Sequence, residues 1–144
     1  MTSAVSTIYH NPACGTSRNV LAILRAAGED PLVVEYLKTG WAEAQLRGLF
    51  ADAGITARDA LRDKGTQAAE LGLTAPGVGE DVIIAAMIAH PILVNRPFVV
   101  TSKGTKLCRP SVTVAAILPR LPAAPVVAVD GKVIFDPANT EVSG

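Results

Sequence analysis

The hydrophobic period of the chain changes twice within its first 36 residues, and this constrains the fold more than any other feature. Val5–Tyr9 is an apolar run rich in β-branched side chains, which predicts a strand. From Gly15 the apolar side chains recur at helical spacing, and Gly28 is a typical helix stop. Pro31–Tyr36 predicts a second strand. This order predicts two parallel neighbouring strands joined by a right-handed crossover.

The middle of the chain, residues 38–92, is predicted to be a helical insertion. Leu46–Ala53 carries an apolar stripe with helical period. Thr56, with Asp59 three residues later, resembles a capping box that opens a short helix continuing to Arg62.

Two more helices are expected in this insertion. One ends near Gly72, and the other must stop at His90, because the following Pro91 disfavours helical backbone before it. The expected apolar face of the second helix consists of Val82, Ala85, Ala86 and Ala89.

The last third of the chain is predicted to hold two hairpins with a helix between them. Phe98–Thr101 and Thr105–Cys108 flank a short turn and predict the first hairpin. Ser111 can cap a helix over Val112–Leu118, and Val126–Phe135 resembles the second hairpin.

The element order is therefore βαβ, then helices, then ββα. This order predicts an α/β, thioredoxin-like fold in a single domain, residues 1–144, with the helical insertion between its two halves. Residues 122–144 form a C-terminal tail beyond that pattern.

Charge and hydropathy exclude several classes of partner. Thirteen basic and thirteen acidic residues balance, whereas proteins that bind nucleic acid normally carry a basic excess. The sequence has no apolar run of about 18 residues, so no membrane span is expected. The first residues lack the basic flank and apolar core of a secretion signal, so a cytoplasmic protein is expected.

The two cysteines and two histidines fit no familiar metal-ligand spacing, so neither a metal nor a bound cofactor is expected. In a reducing compartment, two cysteines far apart in sequence favour a reactive thiol over a disulfide framework.

Cys14 stands where the first predicted strand turns into the first helix. Helix-start amides have no backbone partner, so they favour a thiolate and can hold an oxyanion. Ser17 occupies the position where a dithiol motif has its second cysteine, so the chemistry is monothiol and needs an external reductant. The alternative is that Cys14 is only a small buried apolar residue.

Three arginines are candidates for an anion site. Arg96 lies in an apolar run beside Pro97, and a charge there needs a partner or an anionic ligand. Arg109 closes the first hairpin, and Arg62 ends a short helix. Ordinary surface ion pairs are the alternative, which for Arg62 alone is the better interpretation. Guanidinium groups gathered at a thiolate would suit a tetrahedral oxyanion.

At these residues the sequence resembles the thioredoxin-fold arsenate reductases that depend on glutathione and glutaredoxin. The resemblance spans roughly residues 5–118. Its blocks are Ile8–Asn19, Ala60–Arg62, His90–Pro97 and Gly104–Ser111.

The resemblance implies that Cys14 attacks the arsenic of arsenate and that His10 favours its thiolate electrostatically. Arg62, Arg96 and Arg109 would bind arsenate and stabilise the intermediates. It also implies glutathione as a co-substrate, glutaredoxin as a partner and a role in arsenical resistance.

Two other functions remain open on the sequence alone. One is a non-catalytic, redox-sensing module that binds a transcription regulator or the transcription machinery. The other is a glutathione-dependent thiol transferase acting on protein disulfides. The arginines favour the reductase, because a disulfide substrate gains nothing from three cations at the thiol.

Overall fold

The computed structural model describes residues 6–138, which fall into two compact units. Of the described residues, the first unit takes in 6–35 and 96–138, and the second takes in 36–95. Val5, the first residue of the predicted opening strand, and the end of the predicted tail, residues 139–144, lie outside the described residues.

The first unit is built on a four-stranded sheet with strand order β2-β1-β3-β4. Strand β1 runs parallel to β2 and antiparallel to β3, and β3 and β4 form an antiparallel hairpin. This topology confirms the predicted thioredoxin-like α/β fold. The elements are β1 (Thr7–His10), α1 (Gly15–Ala26), β2 (Leu32–Glu35), β3 (Phe98–Thr101) and β4 (Gly104–Leu107).

Helix α1 packs on this sheet through the stripe of apolar residues that its sequence predicts. Val20, Ile23 and Leu24 are fully buried in one cluster with Ile8 of β1 and Val99 of β3. Burial of such side chains stabilises the fold by roughly 1.5–3 kcal/mol each. The helix therefore holds its N-terminus fixed at the carboxyl end of β1.

The predicted helix over Val112–Leu118 is a 3₁₀ helix over Ser111–Ile117 instead. Ser111 is its first residue, and no side chain caps its N-terminus. Residues 112–114 are all β-branched, which disfavours a longer α-helix. The hydroxyl of Thr101 donates to the carbonyl of Ile117 and ties this helix to β3.

Beyond the sheet, β5 (Val126–Val127) and β6 (Val133–Phe135) pair antiparallel. The turn between them is closed by the N–H of Ala128, which donates to the carbonyl of Lys132 at 2.8 Å. Val126 and Phe135 are buried in the same cluster as α1. The hairpin is thus part of the core of the first unit.

The second unit is helical, with one 3₁₀ helix at its end. Gly54 ends α3 in the left-handed conformation, at φ 71°, and Thr56 and Asp59 form the predicted capping box of α4. The elements are α2 (Tyr36–Thr39), α3 (Glu43–Ala53), α4 (Ala57–Ala60), α5 (Glu80–Ala89) and the 3₁₀ helix (Pro91–Leu93).

Two expectations for short helices in this unit are wrong. Helix α4 ends at Ala60 rather than continuing to Arg62, because Leu61 forms an isolated antiparallel bridge with Val94. The helix expected to end near Gly72 is a series of turns, and Gly72 itself has φ 74°. Glycine adopts this left-handed backbone without steric cost, which favours turns over a helix.

The expected apolar face of α5 is also wrong. The helix buries Ile83, Ile84 and Met87, whereas Val82 is 56% exposed. Its sequence is apolar on nearly every side, so periodicity selects no face. Burial of the larger side chains removes more apolar area from water, so the helix packs through Ile83, Ile84 and Met87. Among residues 6–138, no helix has the length and apolar character that a membrane span requires.

Candidate active site

Cys14 is the N-cap residue of α1, in extended backbone at φ −94° and ψ 122°. Its N–H donates to the carbonyl of Asn11 at 3.0 Å, and its carbonyl accepts from the N–H of Arg18 at 3.0 Å. The side chain of Asn11 accepts from the N–H of Ala13, also at 3.0 Å. These bonds fix the strand-to-helix turn and place the sulfur at the start of the helix.

The thiolate of Cys14 is favoured in spite of burial. The residue is only 7% exposed, and burial by itself raises the pKa of the thiol. A hydrogen bond from the backbone of Ser17 lowers that pKa, as do the charge of Arg96 and both the hydrogen bond and the charge of Arg109. The lowering contributions prevail, so the pKa of Cys14 lies below its ordinary value.

One of the three predicted arginines, Arg109, contacts this sulfur, and the charge of a second, Arg96, lowers the pKa of Cys14. Nη1 of Arg109 lies 3.8 Å from Sγ of Cys14 and also donates to the carbonyl of Arg96 at 3.0 Å. The Arg96–Pro97 peptide bond is cis. Arg96 is half-buried and Arg109 is exposed. A guanidinium at the mouth of the site can therefore bind an anion arriving from solvent.

Arg62 belongs to the second unit. Its N–H donates to the carbonyl of Leu93 at 2.7 Å, and its Nε donates to the carbonyl of Lys64 at 3.1 Å. These bonds fix Arg62 next to the isolated bridge between Leu61 and Val94. Its role in binding an anion stays a prediction.

Ser17 is a site residue that the sequence reasoning treated only as a missing cysteine. It is fully buried, and its backbone N–H donates to the sulfur of Cys14. Its hydroxyl accepts from the N–H of Asn11 at 3.1 Å and lies 2.7 Å from Nδ1 of His10. Ser17 lies on the same face of α1 as the buried apolar residues, where a polar side chain needs a hydrogen-bond partner. That position was the sequence signal that could have identified it.

His10 is buried, and its ring contacts the hydroxyl of Ser17. The imidazole is 6% exposed, and burial is the largest cause that lowers its pKa below the ordinary value, while Glu35 opposes the shift. The electrostatic support of the Cys14 thiolate by His10 stays a prediction.

Cys108, the second cysteine, is fully buried in the core of the first unit. Burial raises the pKa of its thiol to about 12, so it stays protonated at neutral pH. Both cysteines are free thiols. Cys14 is therefore the thiol suited to nucleophilic chemistry.

The site thus combines a thiolate, helix-start amides and guanidinium groups. This arrangement can bind a tetrahedral anion and attack its central atom. Within residues 6–138, no three or more His, Cys, Asp and Glu side chains are grouped as metal ligands.

Known proteins match this chain over most of its length. The sequence model of the ArsC family matches residues 9–117. The chain is 52% identical over 136 residues to an arsenate reductase of Rhizobium meliloti, which covers 94% of this chain and 97% of that protein. It is 50% identical over 142 residues to arsenate reductase ArsI1 of a Synechocystis species, which covers 99% of each.

Among solved structures, the arsenate reductase from Vibrio cholerae superposes with a TM-score of 0.76 at 36% identity. The match covers 81% of this chain and 100% of that one. Sequence and fold agree, and the chain belongs to the ArsC family.

Proposed function

We propose that this protein is an arsenate reductase, an oxidoreductase that converts arsenate to arsenite. The observation that carries the proposal is the 3.8 Å contact between the Arg109 guanidinium and the sulfur of Cys14. It places a permanent cation at a nucleophile whose pKa is lowered. A tetrahedral oxyanion bound there would present its central atom to the thiolate.

Attack on arsenate begins the reaction. The Cys14 thiolate forms a sulfur–arsenic bond, and one arsenate oxygen leaves as water after protonation. The charges of Arg96 and Arg109 stabilise the anionic oxygens during this step, because guanidinium groups stay protonated at all relevant pH. Arg62 is proposed as a third binding cation.

The electrons come from an external thiol in this proposal. Ser17 leaves no second cysteine near Cys14, and Cys108 is buried with its pKa raised to about 12. The chain therefore offers no second reactive thiol of its own. Glutathione would form a second sulfur–arsenic bond and displace another water.

Glutaredoxin completes the proposed cycle. Its thiolate attacks the glutathione sulfur, the arsenic–glutathione bond breaks, and its electron pair reduces arsenic from the pentavalent to the trivalent state. Water then releases arsenite from Cys14, and another glutathione regenerates glutaredoxin. In sum, arsenate and two glutathione molecules give arsenite, glutathione disulfide and one water. Such thiol exchange suits the reducing cytoplasm.

The decisive experiment supplies arsenate, glutathione and glutaredoxin to the purified chain and quantifies arsenite. We expect arsenite from the wild type, none from Cys14→Ser, and near-normal amounts from Cys108→Ala. Omission of glutathione or glutaredoxin should stop turnover. A wild type that forms no arsenite would instead favour a non-catalytic redox-sensing module. A Cys14→Ser variant that forms as much arsenite as an active wild type would refute Cys14 as the nucleophile.

A further inference from the structure

A groove of about 470 Å³ lies in the first unit between α1 and the β5–β6 hairpin. Its volume falls within the roughly 300–1,000 Å³ of small-molecule sites. The matched ArsC region ends at residue 117, so the hairpin wall lies beyond that match. Gly15, which follows Cys14 in the sequence, is among the residues that line the groove.

One wall of the groove is a single face of α1, formed by Gly15, Arg18, Asn19 and Ala22. These positions follow the spacing i, i+3, i+4 and i+7, so they line up along the helix. Nη1 of Arg18 donates to the carbonyl of Pro12 at 2.8 Å. Its Nη2 lies 3.7 Å from the place a Cβ on Gly15 would occupy. The groove therefore has a fixed cation at its Cys14 end.

The hairpin forms the opposite wall and adds two charges of opposite sign, Asp130 and Lys132. Both side chains are exposed. One carboxylate oxygen of Asp130 accepts from the backbone N–H of Lys132 at 3.0 Å, which fixes the turn that carries them. Apolar residues of the hairpin, among them Val127 and Ile134, line the same wall.

The charges of the two walls fit glutathione in number and sign. Glutathione carries two carboxylates and one ammonium group at neutral pH, and the groove offers two cations and one anion. Its thiol lies on the central residue of the tripeptide, next to the glycine that carries one carboxylate. A molecule whose glycine carboxylate faces Arg18 therefore holds that thiol near the Gly15 end. There it would meet an arsenic atom already bonded to the sulfur of Cys14.

We propose that this groove binds glutathione, with Arg18 and Lys132 facing its carboxylates and Asp130 facing its ammonium group. The assignment rests on the proposed function, since it names where the reductant binds. It makes the C-terminal hairpin a wall of the reductant site.

The test measures binding of S-methylglutathione, which cannot react, to the full chain by calorimetry. Lys132→Glu should weaken binding about tenfold, because it replaces an attraction with a repulsion. The matched control is Lys103→Glu, an exposed lysine on the β3–β4 turn that does not line the groove. It should bind as the wild type does. Thermal unfolding of Lys132→Glu should match the wild type, since Lys132 is exposed.

Steady-state kinetics supplies the second readout. Lys132→Glu should raise the KM for glutathione several-fold and leave the KM for arsenate unchanged. Equal effects of Lys132→Glu and Lys103→Glu on binding would overturn the groove assignment, even where the wild type reduces arsenate. Selective loss of S-methylglutathione binding in a protein that makes no arsenite would support the groove and refute the reductase.

Discussion

At the scale of single residues, opposing contributions set the pKa of one thiol, that of Cys14. Burial disfavours the Cys14 thiolate, while the Ser17 amide and the guanidinium groups of Arg96 and Arg109 favour it. Cys108 is more deeply buried than Cys14, and burial raises the pKa of its thiol to about 12. Partial burial together with these hydrogen-bond donors and charges therefore favours the thiolate of Cys14.

Alkylation of Cys14 by iodoacetamide should therefore reach half its maximal rate at a pH below the free-cysteine value of about 8.5. The rate should rise with pH through the lowered pKa and then level off, because the thiolate is the reacting form. Arg109→Ala should move the midpoint upward, and Arg120→Ala, an exposed arginine outside the site, should not. Mass spectrometry should find Cys108 unmodified at neutral pH. A wild-type midpoint at or above that of free cysteine would contradict this account.

At the scale of elements, the site depends on helices that start and stop at defined residues. Helix α1 starts at Gly15, so that Cys14 occupies the N-cap position. The end of α3 shows the same dependence on backbone conformation, because Gly54 takes the left-handed conformation there. Glycine tolerates this conformation, and a residue with a Cβ does not without strain.

A pair of identical substitutions around α3 should have opposite effects on stability. Gly54→Ala should lower the free energy of unfolding by about 1–2 kcal/mol, because alanine is strained at φ 71°. Gly48→Ala lies inside the same helix with nothing near the added methyl, so it should raise that free energy by about 0.8–1 kcal/mol. Urea denaturation followed by circular dichroism measures both. Changes of the same sign in both variants would be incompatible with the left-handed end of the helix.

At the scale of the whole molecule, the predicted C-terminal hairpin forms, and only the tertiary structure shows what it packs against. Phe135 is 2% exposed and packs in the cluster that also holds the buried face of α1. The hairpin therefore contributes to the core of the first unit. It also forms one wall of the groove beside Cys14.

Truncation of Phe135 tests this contribution. Phe135→Ala should lower the free energy of unfolding by roughly 3–5 kcal/mol, the usual cost of removing a buried aromatic side chain. Val133→Ala on the same strand should cost little, because Val133 is 59% exposed. Thermal and urea unfolding of both variants provide the comparison. Near-wild-type stability of Phe135→Ala would show that the hairpin is a dispensable addition.

The sequence by itself determined the parts that local patterns encode. The strand–helix–strand opening, the β3–β4 hairpin, the Thr56 capping box and Cys14 at a helix start all follow from period, turn residues and caps. These signals act over a few residues, so the sequence displays them directly. The buried face of α5 and the turns around Gly72 were mispredicted, because neither has a local signal strong enough to select one outcome.

Only the tertiary structure decided which side chains meet. Arg109 reaches the sulfur of Cys14 across 95 positions of sequence, and His10 pairs with Ser17 across seven. The different pKa shifts of Cys14 and Cys108 also depend on the tertiary structure. The two thiols are chemically identical, and only their surroundings differ. The pKa of a group depends on desolvation and on charges brought near by folding, and no local pattern records either.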